Sequence, residues 1–98
     1  MMRTKHRYIL VESASYARRE ALQSELLRVI GTDYHIVNPK ILDIRGKMVI
    51  RCSLAGMGKL TTALALIKSL DGKENAFYTI KSSGTIRALM EKSEQLQP

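Results

Sequence analysis

The chain has 98 residues, 45% of them hydrophobic and 26% charged, with a single cysteine. That length suits one small domain with a thin core; the lone thiol excludes an intramolecular disulfide framework and points to a reducing compartment, the cytoplasm. A net charge of +7 asks for a polyanionic partner, nucleic acid before an acidic membrane surface, and no apolar run is long enough for a signal core or a membrane span.

Residues 1–6 read as a basic arm with Arg3 and Lys5; residues 1–19 together carry five Lys or Arg against one acid. "YILVE" (8–12) reads as a first strand, and its four successive apolar positions imply cover on both faces, hence a central strand. Ser13-Ala14-Ser15 supplies a turn and candidate helix caps. Leu22, Leu26, Val29 and Ile30 recur at i, i+4, i+7 and i+8, an amphipathic helix of about four turns, and Gly31 stands where a C-cap belongs. Asn38-Pro39 breaks the chain. "KILDI" (40–44) and "MVIRCS" (48–53) read as two strands joined by Arg45-Gly46-Lys47, a hairpin signal. In the second of them Met48, Ile50 and Cys52 share one face, and Val49, Arg51 and Ser53 the other. Residues 40–59 again carry five Lys or Arg against one acid. Gly56-Met57-Gly58 precedes a second helix, with Leu60, Ala63, Leu64, Ile67 and Leu70 at helical spacing until Asp71-Gly72 stops it. "AFYTIKS" (76–82) is the fourth strand. A third helix starts near Thr85, with Ile86, Leu89 and Met90 on one stripe, and runs out into a polar tail at 93–98.

The order β-α-β-β-α-β-α predicts a single α/β domain over 1–98. Its first six elements match the ferredoxin-like, RNA-recognition-like plan: a four-stranded antiparallel sheet with strands 1 and 3 in the middle and two helices on one face. The additional C-terminal helix either lies on the open face of the sheet, explaining the doubly apolar first strand, or offers Ile86, Leu89 and Met90 to a partner protein.

"AGMGKLT" (55–61) fails as a nucleotide-binding loop. A Walker loop needs Gly at Ser53 and Ser or Thr at Leu60, and a dinucleotide fingerprint needs a third glycine at Thr61. Its glycines are read as the turn into the second helix. "RGKMVIRC" (45–52) occupies the place of an RNA-recognition box but lacks the aromatics that stack on bases. Tyr8 is the one residue placed to stack, so phosphate-dominated binding to a structured RNA is the expectation. "SSGTIR" (82–87) assembles the parts of a phosphate site: helix N–H groups, hydroxyls, a glycine for close approach, and Lys81 and Arg87 for charge. Ser83 could equally be an ordinary helix cap. His6, His35 and Cys52 form no catalytic or metal-ligand pattern, and the loop after strand 1 lacks the Gly-rich, arginine-bearing sequence of acylphosphatases.

"RYILVE", "GKMVIRCS", "LTTALALIKSLDG" and "IKSSGTIRAL", in that order and spacing, resemble the ribonuclease P protein component 2 family over about residues 5–90. "IRC" (50–52) and "SGTIR" (83–87) are the most specific parts. The resemblance implies an archaeal-type accessory subunit, not a nuclease by itself. The catalytic RNA removes the 5′ leader of precursor tRNA using Mg²⁺, and the protein binds no cofactor of its own. The implied partners are the ribonuclease P RNA, ribonuclease P protein component 3 and other protein subunits, with precursor tRNA met indirectly and no membrane; two such protein pairs can form a heterotetramer. Arg51, Ser83, Gly84, Thr85 and Arg87 fall on the family motif. Lys5, Arg7, Arg45, Lys47 and Lys81 complete the expected RNA-facing set from charge and position. An alternative is a ferredoxin-like protein–protein interaction module without direct RNA contact.

Overall fold

The structure, a computed structural model, describes residues 5–95, with side chains as far as Met90. Arg3 of the expected arm and residues 96–98 of the expected tail lie outside the described residues. Four strands make the main sheet: β1 (His6–Ser13), β2 (Lys40–Ile44), β3 (Lys47–Ser53) and, after a small two-stranded hairpin of β4 (Ser69–Leu70) and β5 (Lys73–Glu74), β6 (Phe77–Ser83). Their order is β2-β3-β1-β6 with all neighbours antiparallel, so β1 and β3 are central as expected. His6 belongs to β1 and the Lys5 carbonyl accepts the Leu54 N–H at 2.9 Å. The basic arm is therefore shorter than read: its end is already part of the sheet.

Side-chain alternation gives the sheet two faces. Ile9, Val11, Ile41, Ile50 and Cys52 point into the larger core, against Leu22 and Leu26 of α1 (Arg19–Ile30) and Leu60, Ala63 and Leu64 of α3 (Met57–Leu66). Leu10 and Val49 point the other way, and there α4 (Ile86–Gln95) covers them with Leu89 and Met90. The additional helix thus lies on the open face of the sheet. Leu89 is fully buried and Met90 is 8% exposed, each such burial worth about 1.5–3 kcal/mol. The expectation that Leu89 and Met90 face a partner is corrected: the chain's own sheet occupies both, and only Ile86, half-buried at the edge of that cluster, keeps some exposure. The backbone of α4 stays helical through Gln95, into the stretch read as tail.

Hairpin chemistry accounts for two turns. Arg45 and Gly46 have φ of 54° and 77°, as do Asp71 and Gly72, the paired left-handed conformations that fit a two-residue turn to the twist of its strands. The second pair overturns the reading of Asp71-Gly72 as a helix stop: α3 ends at Leu66, Ile67 is already extended, and Leu70 is buried from β4. A 3₁₀ turn (Gly31–Asp33) and the one-turn α2 (Tyr34–Val37) fill the stretch before Asn38, whose φ of 48° closes α2. The serines at 13 and 15 do not cap α1. Its N-cap is Arg18, without a side-chain hydrogen bond, and the Ser15 N–H donates instead to Asn75 Oδ1 at 3.0 Å, tying the β1–α1 loop to the approach of β6.

Candidate nucleic-acid interface

β6 is an edge strand with a bulge. Leu10 pairs with Lys81 and Val11 with Thr79, leaving Ile80 as the extra residue. A bulge bends and twists the strand that carries it, and β6 then ends at Ser83, opposite Tyr8. Ser83 is buried, 7% exposed, and its Oγ accepts the Thr85 N–H at 3.4 Å. Thr85 Oγ1 accepts the Ala88 N–H at 3.1 Å. Thr85 is therefore the N-cap of α4, in the place the sequence offered to Ser83. A Cβ on Gly84 would stand 3.4 Å from Arg7 Nη1, so the group that approaches this glycine is the guanidinium of Arg7, reaching over from the start of β1.

The electrostatics of this corner favour an anion. A helix start carries partial positive charge and N–H groups without intrahelical partners. The first turn of α4 has no acidic residue; instead Arg87 lies in it and Arg7 beside it. Cations at that end oppose the helix dipole, and an anion placed there would interact favourably with both.

The register then places Arg51. Lys40 pairs with Arg51, Arg51 with Tyr8, and Tyr8 with Ser83, so these four residues form one row across the sheet on the face that carries α4. Strand spacing puts the Arg51 and Ser83 backbones about 10 Å apart. The next row is Leu42, Val49, Leu10 and Lys81, which α4 partly covers. Among the described residues neither Arg7, Lys40 nor Arg51 forms an ion pair. On the helix layer Arg18, Arg28 and Lys59 face Asp71, Glu25 and Asp33 at 3.0, 2.6 and 3.0 Å. The hydrogen bonds within the first two of these pairs hold the Asp71 and Glu25 carboxyls below, and the two arginines above, their ordinary ranges.

The expected RNA-facing residues thus fall into two groups. Arg7, Arg51, Ser83, Gly84, Thr85 and Arg87 gather around the end of β6, with Lys81 one row inward and Lys5 at the head of β1. Arg45 and Lys47 do not join them: Lys47 precedes Arg51 by four residues on β3, about 13 Å along an extended strand. Their turn is braced by Asp43, whose Oδ1 accepts the Gly46 N–H at 3.0 Å, and it borders a cavity of about 460 Å³ lined by Glu12, Glu20 and Asp43 as well as Arg19. That end of the sheet is acidic as much as basic. Lys40 was missed from sequence, because only the β2–β3 register brings it beside Arg51.

Nucleophile chemistry has little footing. Cys52 is 1% exposed and burial pushes its thiol up to about 11, which leaves almost no thiolate near neutral pH. His6 and His35 are exposed on different elements.

Comparison with known proteins bears on the same residues. Over 50 residues, 51% of the chain, the sequence is 42% identical to ribonuclease P protein component 2 of Methanosphaerula palustris; the match spans 31% of that relative's length. A chain in the cryo-EM structure of yeast ribonuclease MRP shares the fold, with a TM-score of 0.65 over 97% of this chain and 95% of that one at 14% identity. Residues 7–94 match the Rpp14/Pop5 family, a span that takes in β1 from Arg7 onward, the Arg51 row and the 83–87 corner. By that match, which leaves out only the two ends, the chain belongs to the Rpp14/Pop5 family.

Proposed function

We propose that this chain is a non-catalytic protein subunit of a ribonuclease P that binds the catalytic RNA and supports 5′-leader removal from precursor tRNA. Family membership over residues 7–94 is the observation that carries the reading, and the cationic corner is its physical counterpart. Arg7, Arg51 and Arg87 neutralise phosphates of the folded RNA, which lowers the Mg²⁺ the RNA needs to hold its active form; the Mg²⁺ chemistry belongs to the RNA. The RNA-facing row lies on the α4 side of the sheet. The opposite helix layer exposes Leu27 and Leu66, 52% and 62% accessible, and a shallow groove between α1 and α3 in which Val29, Ile30 and Leu66 stand beside the Lys59–Asp33 ion pair. That layer is the surface we assign to a second protein subunit, ribonuclease P protein component 3, in a cytoplasmic ribonucleoprotein. The interaction-module alternative took Ile86, Leu89 and Met90 as its working surface, and two of those three side chains are occupied within the fold.

The test is precursor-tRNA cleavage at low Mg²⁺ by the ribonuclease P RNA reconstituted with its protein subunits, with and without this chain. Omission is expected to collapse the rate, and addition to restore it. Arg51→Ala is expected to restore less. A rate indifferent to omission overturns the reading.

A further inference from the structure

Resting on the RNA-binding reading above, we infer that the part of the sheet left open beside α4 receives an unpaired nucleotide, its base on Tyr8 and Arg51 and a flanking phosphate on Lys40. The sequence argues against stacking because the usual aromatic positions of β3 hold Met48 and Ile50. The structure changes the terms of that argument. On this face α4 covers the apolar row of Leu10 and Val49, where further stacking residues would have to stand; the Lys40–Arg51–Tyr8–Ser83 row is the next one along the strands, and of it Lys40 is exposed and Arg51 and Tyr8 are half-buried.

That row spans three strand spacings, about 14 Å, and holds an ammonium, a guanidinium, a phenol ring and a hydroxyl with no carboxylate. Tyr8 and Arg51 are both half-buried. Tyr8 packs against the Leu89–Met90 cluster, which fixes its ring, while Arg51 forms no ion pair among the described residues. Aromatic rings and guanidinium planes are the two surfaces on which unstacked bases settle, and paired bases do not present that face. Lys40, exposed at the β2 edge, supplies the phosphate contact that neither composition nor motif identified. The ligand class is therefore a looped-out or junction nucleotide of the RNA rather than a continuous duplex.

The experiment uses ribonuclease P RNA transcribed with 4-thiouridine, cross-linked to the full chain by light, together with binding isotherms for Tyr8→Phe, Tyr8→Leu and Lys40→Ala at several salt concentrations. A cross-link within residues 7–10 or 49–53 is expected. Tyr8→Leu should bind about ten-fold more weakly with an unchanged salt slope, because it removes stacking and no charge. Tyr8→Phe should stay within about two-fold of wild type, and Lys40→Ala should lower the slope by nearly one phosphate contact. Thermal unfolding checks each variant; if Tyr8→Leu fails to fold, the wild-type cross-link decides. Wild-type affinity in Tyr8→Leu and Lys40→Ala, with cross-links elsewhere, overturns the inference and leaves the RNA reading standing. Failure of the wild-type chain to bind this RNA overturns both.

Discussion

Replacing Thr85 by alanine removes the acceptor of the Ala88 N–H from a helix whose first turn already holds an arginine and no acid. The loss is expected to be about 1 kcal/mol, roughly 4–8 °C in the midpoint of thermal unfolding for a domain this size. Ser83→Ala gives up a longer hydrogen bond, 3.4 Å, and should cost less; the reverse ranking would return the cap to Ser83. The sequence offered both hydroxyls, and the choice between them turned on where β6 ends, one residue later than its pattern suggested. Arg51, Ser83, Gly84 and Arg87 could be picked out from residue type and motif. Lys40 and the nearness of Arg7 to Gly84 could not, because both depend on cross-strand register and no local pattern encodes it.

At the scale of elements, the "AGMGKLT" stretch contains two glycines with opposite roles. A Cβ on Gly56 would lie 2.6 Å from Val37 Cα and 2.9 Å from Ser53 Oγ; since backbone cannot give way as a side-chain tip can, Gly56→Ala should cost about 1–3 kcal/mol. Gly58, the second residue of α3, has open space around its Cβ direction, and Gly58→Ala should stabilise by roughly 0.5–1 kcal/mol. Urea midpoints of the two variants should therefore move in opposite directions. Sequence reading located the turn into α3 here and did not tell the two glycines apart. It succeeded where turn chemistry and periodicity agree, as in β2 and β3 around Arg45-Gly46. It failed where they compete: Leu70 prolongs the helical stripe of α3, but the left-handed pair Asp71-Gly72 folds that segment into a hairpin. The brief α2 has too few residues to show a period.

For the molecule as a whole, the sheet separates two kinds of surface: on the α4 side Lys40 and Arg51, which form no ion pair among the described residues, and on the helix side ion pairs and exposed leucines. RNA affinity should fall steeply with salt, each phosphate contact adding about 0.7–0.9 to the log–log slope. Arg51→Ala should reduce that slope by nearly one contact, whereas Arg28→Ala, which removes a cation already paired with Glu25, should leave it unchanged. Isotherms across a salt series measure both. Equal slopes for the two variants would place the RNA elsewhere on the chain.

The position of β1 between β3 and β6 has a consequence for assembly during synthesis. Of the four strands of the sheet β1 is made before the others, yet one of its edges waits for β3 and the other for β6. The segment up to β3 cannot finish the sheet without β6, and the face under α4 stays uncovered until α4 emerges. Sequence-distant pairing of this kind slows folding. From the synthesis of β3 until that of β6 the nascent chain carries an open, hydrogen-bond-hungry edge on β1, which makes early engagement by a chaperone an advantage.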